Sequence, residues 1–224
     1  MSSVLSILDS SARRTVAALA RRGRHLLRAG ISTVLVEGVR RRNPSVVVNG
    51  LVSLALTFAP TLLERRYGTS FHPWQRLWVS GAMFLHALGM LGSYDRVWWW
   101  DHVTHTLSAS IVGSLAYVFA RTSVDGDGER RVRNTSGFVV GVTLGLGVLW
   151  EVFEYIVHAL ARRLGLEPLL VPYGPYDTAF DLVFDAVGAA LVVAFGPRAL
   201  SNVVDSLDAR RGDGGEPHAH ASPE

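Results

Sequence analysis

The sequence predicts an all-α protein: a polytopic bundle of transmembrane helices. The first observation is composition, because 49% of the 224 residues are hydrophobic and the mean hydropathy is +0.24. The second is arrangement, because the apolar residues form five long runs separated by short polar stretches that carry Arg. Runs of this length are typical of membrane-spanning helices and not of a soluble core.

The charge pattern and the absence of Cys exclude several kinds of site. All 22 basic residues are Arg, and the chain has no Cys. Disulfides and thiolate metal sites are therefore excluded. The net charge is +3, but the Arg residues cluster beside apolar runs, where they act as topological anchors. Since no nucleic-acid-binding motif is present, we predict the lipid bilayer as partner and no nucleic acid.

The first 43 residues form a basic leader with nine Arg. Its longest uncharged stretch near the end, Ala29–Val36, is far shorter than the roughly 20 residues that a span requires. Apolar residues recur in it at helical intervals, which predicts an amphipathic helix on the membrane surface. A topogenic leader with incidental helicity explains the same pattern.

The five apolar runs follow the leader. The predicted spans are 45–63, 74–91, 103–120, 137–161 and 176–195. They define a transmembrane domain over 44–200, preceded by the leader at 1–43. Residues 201–224 are rich in Gly and charged residues, which predicts a disordered polar tail.

Orientation is predicted from the distribution of Arg. Five spans place the chain ends on opposite sides of the membrane. With the leader inside, twelve Arg lie on the inner side and ten on the outer side. The excess favours a cytoplasmic N-terminus in a multi-pass protein of the cell membrane. Trp98, Trp99 and Trp100, directly before the third span, are typical of an aromatic belt at the headgroups.

Acidic residues lie inside the predicted spans. Asp177, Asp181 and Asp185 are four residues apart, so their carboxyl groups share one helix face. A fifth span that began after Asp185 would keep only eleven residues, about 16 Å, or half of a hydrocarbon core. The same length argument places Glu151 of the fourth span below the membrane surface. Because successive spans alternate in direction, these acids and His105 converge under one leaflet.

Two further patterns supply candidate site residues. Asp101 and His105 share a helix face at i, i+4, which suits two metal ligands or an acid–base pair, although Asp101 could equally be an N-cap. Glu151 and Glu154 lie on adjacent positions of one face, where a carboxylate must be protonated, paired or ligating. The candidate catalytic residues are His105, Glu151, Glu154 and Asp181. The candidate metal ligands are Asp101, His105, Glu151, Glu154, Asp181 and Asp185. Oxygen and imidazole donors without sulfur favour a divalent ion such as Zn, Mn or Fe.

Four other polar residues receive weaker interpretations. Asp177 follows a Gly-Pro turn and is interpreted as the N-cap of the fifth span. His102 is interpreted as interfacial. His86 and Asn49 either complete the lining of the polar pocket or are hydrogen-bonded core residues.

Three motifs carry a resemblance to a known family. They are Asp101 with His105, Trp150-Glu151 with Glu154, and Tyr176-Asp177 with Asp181-Leu182 and Gly188. Their order resembles the YjdF-like family of predicted inner-membrane proteins and is more distantly similar to VanZ-like membrane proteins. Asp185 stands where the family pattern would have Asn. The resemblance implies a multi-pass membrane protein and supplies no established activity.

Three functions fit these features. The first is a membrane-embedded enzyme acting on a lipid-like substrate, with a metal or an acid–base pair at the polar cluster. The second is a proton- or cation-coupled transporter, which with five spans and no internal repeat would need to be a homo-oligomer. The third is a non-catalytic membrane factor whose buried acids only specify helix packing.

Overall fold

The computed structural model describes residues 2–123, 128–166, 168–170 and 174–213. This part of the chain is helical and has no strand, which confirms the all-α fold class. The helices are α1 (Ser2–Arg40), α2 (Pro44–Leu56), α3 (Ala59–Tyr67), α4 (Pro73–Leu88), α5 (Tyr94–Arg96), α6 (Trp100–Ser123), α7 (Gly128–Arg163), α8 (Pro175–Ala199) and α9 (Ser201–Asp213).

Four helical segments in the described part are long and apolar enough to cross a membrane. They are Pro44–Tyr67, Trp100–Ser123, Val132–Arg163 and Pro175–Ala199. They correspond to the first, third, fourth and fifth predicted spans. The first of them contains both α2 and α3, with a break at Thr57 and Phe58. The break coincides with Pro60 in the first turn of α3, because proline lacks the N–H that would continue the α2 hydrogen bonds.

The predicted span at 74–91 has a different form. Its helix α4 has only 16 residues and continues into a π-helical segment, Gly89–Ser93. Gly92 lies in this segment with a φ of 106°. A residue with a side chain would be strained in this conformation. Helix α4 alone extends about 24 Å at 1.5 Å per residue, and the π-helical segment lengthens it toward the roughly 30 Å of a hydrocarbon core.

Helix α1, the predicted basic helix, packs lengthwise against α4. A Cβ atom built on Gly23 would lie 3.1 Å from Leu77, and one on Gly30 would lie 2.6 Å from Phe84. Residue numbers rise together along the two helices, so α1 and α4 are parallel.

Helix α1 also packs against α2, in the antiparallel sense. Gly38 of α1 lies against Val46 near the start of α2. At the other end of the contact, Arg28 donates hydrogen bonds from Nε and Nη2 to Oγ1 and the carbonyl O of Thr57, at 2.9 and 2.7 Å. Ile31 of α1 is fully buried in this contact. The leader and the transmembrane helices therefore share one apolar core.

The second half of the bundle is built on a close approach of α6 and α8. A Cβ atom on Gly188 would lie 2.6 Å from both the Ala109 Cβ and the Thr106 carbonyl O. This contact confirms the expectation that Gly188 allows a neighbouring helix to approach closely. Helix α7 packs against both α6 and α8.

The segment after Ser201 forms helix α9, where the sequence predicted disorder. Val204 packs with Tyr117 of α6 in an apolar cluster, and Asn202 forms a hydrogen bond of 3.0 Å with Gln75 of α4. These contacts stabilise a helix whose composition alone is polar. The remainder of the predicted tail, residues 214–224, lies outside the described residues.

The helix ends gather at two opposite ends of the bundle. At one, which we call the pocket end, the Ser45 hydroxyl at the start of α2 donates to the Leu169 carbonyl after α7, at 2.5 Å. At the other, the distal end, the Gln75 side chain at the start of α4 donates to the Ala199 carbonyl at the end of α8, at 2.6 Å. Helices α2, α6 and α8 begin at the pocket end, and α1, α4 and α7 end near it.

Candidate functional site

The centre of the polar cluster is His105, in the second turn of α6. Its Nδ1 lies 3.3 Å from Oδ1 of Asp185 on α8. Its Nε2 lies 3.7 Å from Oδ1 of Asp101 and 3.8 Å from Oδ1 of Asp181. The imidazole is therefore surrounded by three carboxylates from two helices, one facing Nδ1 and two facing Nε2.

Asp181 is the most deeply buried of these acids, with 3% of its surface exposed. Its Oδ1 has no hydrogen-bond partner, although the atom is buried. Nδ1 of His102 lies 3.9 Å away and is also buried without a partner. Unpaired buried polar atoms are costly, so a group that interacts with both atoms would stabilise this arrangement.

His102 lies inside the site, which differs from its interpretation as an interfacial residue. Its ring stacks on Phe184 of α8 with centroids 4.4 Å apart and an interplanar angle of 6°. The interfacial interpretation rests only on the position of His102 along α6 and stays a prediction. The ring points to α8, which brings it beside Asp181.

Glu151 and Glu154 approach the cluster from α7. Glu151 is buried, and its Oε2 accepts a hydrogen bond of 2.8 Å from the Thr178 hydroxyl on α8. One turn before Glu151, the Asp185 carboxylate lies against Gly147, where a Cβ atom would collide with it. Glu154 lines the cavity described below. These two acids thus form a second group beside His105, with no described contact to its imidazole.

A hydrogen-bonded network joins α4 to the start of α6. Nδ1 of His86 lies 2.9 Å from the Tyr94 hydroxyl, and Nε2 lies 3.4 Å from Oδ1 of Asn49. The Tyr94 hydroxyl is also 3.4 Å from Oγ1 of Thr104. Thr104 in turn donates to the carbonyl O of Asp101 at 2.8 Å. His86 and Asn49 are therefore both hydrogen-bonded residues and part of the lining, so the two interpretations are compatible.

A cavity of about 1110 Å³ opens beside this cluster. Asp101, His105, Glu154, Asp177 and Asp185 contribute its polar wall. Apolar side chains of α2 and α7 form a large part of the remaining wall, and they include Val52, Leu56, Leu146, Leu149, Trp150 and Phe153. The cavity thus has one polar wall and otherwise mainly apolar walls.

The donor set at His105 has the spacing of a metal site. Asp101, His105 and Asp181 each offer one ligand atom, and these atoms all lie within 4.8 Å of one another. Two ligands of a tetrahedral ion with bonds of about 2.1 Å are separated by about 3.4 Å. The distances of 3.7 and 3.8 Å from Nε2 of His105 are close to that value. Two of the three separations among the Asp101, His105 and Asp181 donors are therefore close to those around one tetrahedral divalent ion.

Comparison with known proteins agrees with this architecture. The family model described as "Predicted membrane protein (DUF2238)" matches residues 24–202. The chain belongs to this family. YjdF-like proteins are members of it, so the match supports that part of the resemblance, whereas the similarity to VanZ-like proteins stays a prediction. No curated protein and no solved structure matches the chain.

Family membership and the apolar helices establish a multi-pass membrane protein in the lipid bilayer. The matched range includes every candidate site residue and also the second half of α1, from residue 24. The family description assigns no activity, so the chemistry of the site has to be argued from its geometry.

Two predicted helix caps are wrong. Helix α6 begins at Trp100, so Asp101 lies inside its first turn and not before it. Helix α8 begins at Pro175 with Gly174 at the N-cap position, so Asp177 also lies within the first turn. Both helices start earlier than predicted, and in α8 the first position is Pro175, a residue favoured there because its φ is already helical. Both acids therefore point sideways from a helix, and both line the cavity.

Three hydrogen-bonding residues of the site were not predicted from the sequence. Tyr94 bonds to His86, Thr104 bonds to Asp101, and Thr178 bonds to Glu151. Thr178 lies three residues before Asp181 on the same helix face, which is the one spacing that could have indicated it. Tyr94 begins α5, which has only three residues, too few for a helical periodicity to be recognised.

Proposed function

We propose that the protein is a membrane-embedded enzyme that binds a divalent metal ion at Asp101, His105 and Asp181 and acts on a lipid-like substrate. The observation that supports this most is the placement of the His105 ring, with Nε2 facing two acids and Nδ1 facing a third. A ligating His commonly donates its other N–H to a carboxylate, which fixes the ring and its tautomer. Asp185 has that position.

The nitrogen and oxygen donors favour Zn, Mn or Fe, and the buried unpaired Oδ1 of Asp181 supports an additional bound group. When bound, a divalent ion supplies Lewis-acid chemistry that polarises a phosphoryl or carbonyl oxygen. Glu154 lines the cavity and is assigned the transfer of a proton to or from the substrate. Glu151, held by Thr178, is assigned to the same acid–base pair.

The lipid-like substrate is inferred from the apolar wall of the cavity. Leu146, Leu149 and Phe153 of α7 line the cavity and are also about half exposed. Val52 of α2 likewise lines the cavity and is about half exposed. The cavity therefore opens sideways between α2 and α7, where the exposed surface of a membrane protein meets acyl chains. A molecule with an apolar tail and a polar head would place the head at His105.

Metal analysis of the purified protein tests the site. We expect one equivalent of a divalent ion in the wild-type protein and its loss in His105→Gln and Asp181→Asn. His25→Gln is the matched control, because His25 is an exposed residue of α1. Wild-type protein that folds but takes up no Zn²⁺, Mn²⁺ or Fe²⁺ would refute the metal site. Thermal unfolding of each variant distinguishes loss of the ion from loss of the fold.

Analysis of the lipids that copurify with the protein tests the substrate class. Leu146→Trp should fill the opening and reduce the amount of retained lipid. Leu115→Trp is the control, because Leu115 is 58% exposed on α6 and does not line this cavity. Equal lipid retention in the two variants would count against a lipid site in the cavity.

Transport is supported less well. The cavity reaches Leu56 and Thr143, but Tyr117, Val139, Val192, Leu200 and Val204 form a buried apolar cluster nearer the distal end. A relay of protons or cations would need polar groups there. The remaining hypothesis, that the acids only specify packing, predicts variants that change thermal stability with no bound ion in any of them.

A further inference from the structure

The path of the chain determines which side of the membrane the pocket end faces. Helices α2 and α6 both begin at the pocket end, so the chain must cross the bundle twice between Pro44 and Trp100. The segment of α2 and α3 makes the first crossing. Helix α4 with the π-helical segment makes the return, and α4 alone covers about 24 Å of the roughly 30 Å hydrocarbon core.

Helix α1 makes an additional crossing. Its residues 23–38 run parallel to α4, which they contact at Gly30 and Phe84. The same residues run antiparallel to α2, which they contact at Gly38 and Val46. Residues 23–38 extend about 24 Å at 1.5 Å per residue, and their packing between two crossing helices supports a crossing by α1 as well. Within this stretch the Arg28 guanidinium bonds to Thr57, between α2 and α3, and lies 3.8 Å from the Phe58 ring centroid, so the charge has polar and aromatic partners midway along the crossing.

Six crossings place the N-terminal part of α1 and the helix α9 together at the distal end. This arrangement changes the distribution of Arg. Six of the 22 Arg lie at the pocket end, namely Arg40, Arg41, Arg42, Arg96, Arg162 and Arg163. Arg28 lies midway along the crossing, and the other 15 lie toward the distal end, in contrast to the nearly even distribution that five spans give.

We infer that the pocket end faces the extracytoplasmic side, so that the site takes its ligand from the outer leaflet or the medium beyond it. Arg-rich ends of membrane helices remain on the cytoplasmic side, and a ratio of 15 to six assigns the distal end to it. The N-terminus is then cytoplasmic, but His105 and the acids lie under the opposite leaflet. The inference about the side rests on topology alone, and only its consequence for a lipid rests on the proposed function.

Exposed aromatic residues at the pocket end agree with a crossing that ends there. Trp98 is 81% exposed and Tyr176 is 85% exposed. Trp98 lies in the connection before α6, and Tyr176 lies in the first turn of α8. Amphipathic aromatic rings are typical of the headgroup region, so His105 and the acids are a short distance below a membrane surface.

Cysteine labelling in intact cells tests the inference, and the absence of Cys from the chain removes any background. We would introduce one Cys at a time, by Leu164→Cys at the pocket end, Ser70→Cys at the distal end and Ser3→Cys near the N-terminus. A membrane-impermeant maleimide should label Leu164→Cys in intact cells. The other two should react only after the membrane is permeabilised.

The outcomes separate the two parts of the inference. If Ser3→Cys reacts on the same side as Leu164→Cys, α1 does not cross and the inference fails. If Ser3→Cys and Ser70→Cys react from outside while Leu164→Cys is protected, the orientation is reversed and the inference also fails. Labelling is independent of a bound ion, so neither result depends on the metal site. A protein without metal but with the expected labelling would refute only the proposed function.

Discussion

His105 and Asp185 are separated by 80 positions in the chain, yet Nδ1 of the imidazole lies 3.3 Å from Oδ1 of the carboxylate. The contact joins α6 to α8 at the level where α7 brings Gly147 against the same carboxylate. Three helices thus determine the orientation of one imidazole ring. The other nitrogen of that ring is left facing Asp101 and Asp181, where the proposed ion would bind.

The first prediction concerns Asp185 as the residue that orients His105. Asp185→Asn preserves the shape of the side chain but removes the charge, so the ring is held less firmly. We expect the affinity for Zn²⁺ to fall by about 10- to 100-fold, as for other partners of metal-ligating histidines. Competition with a chelator of known affinity measures the change. Asp205→Asn on α9 is the control, and a wild-type affinity in Asp185→Asn would contradict the orienting role.

The second prediction concerns Gly147. A methyl group there would occupy the position of the Asp185 carboxylate, so Gly147→Ala should displace that carboxylate and weaken metal binding. Gly145→Ala is the matched control, because no atom lies within 4 Å of a Cβ at that position. Both changes raise helix propensity by about 1 kcal/mol, so propensity cannot explain a difference in Zn²⁺ affinity between them. The idea fails if the two variants bind Zn²⁺ equally.

The third prediction concerns the close approach of α6 and α8. In Gly188→Ala the new methyl group would lie 2.6 Å from the Ala109 Cβ and the Thr106 carbonyl O. We expect a loss of about 1–3 kcal/mol, which is usual for overpacking a tight contact. Thermal unfolding in detergent measures it. Gly141→Ala, where a Cβ has open space, should unfold no earlier than wild type, and an unchanged midpoint in Gly188→Ala would show that the helices can separate at no cost.

The fourth prediction concerns the attachment of α1 to the bundle. Arg28→Gln removes two hydrogen bonds to Thr57, one of them to a carbonyl at the end of α2. Hydrogen bonds of charged groups contribute about 1.5–3 kcal/mol, so the variant should be destabilised by an amount of that order. Arg21→Gln, at an exposed position of the same helix, is the control. Equal unfolding midpoints in the two variants would mean that Arg28 does not anchor α1.

The sequence by itself determined the class of the protein and the burial of its acids. Run length and composition predict membrane helices because only about 20 apolar residues in helical form can cross the hydrocarbon core. The same arithmetic placed Glu151 and Asp185 below the surface, since neither helix could cross without them. Alternating helix direction then brought both to one end of the bundle. These conclusions depend on distance along a helix axis, which residue counting gives directly.

Only the tertiary structure decided which side chains meet. Each residue turns a helix by 100°, so the face that a side chain presents depends on how the whole helix is rotated against its neighbours. That rotation places His102 beside Asp181. It also placed α1 against α2 and α4, where Arg28 finds hydrogen-bond partners in Thr57, between α2 and α3. Partners on other helices, which residue counting does not locate, determine whether a charge near a membrane is stable.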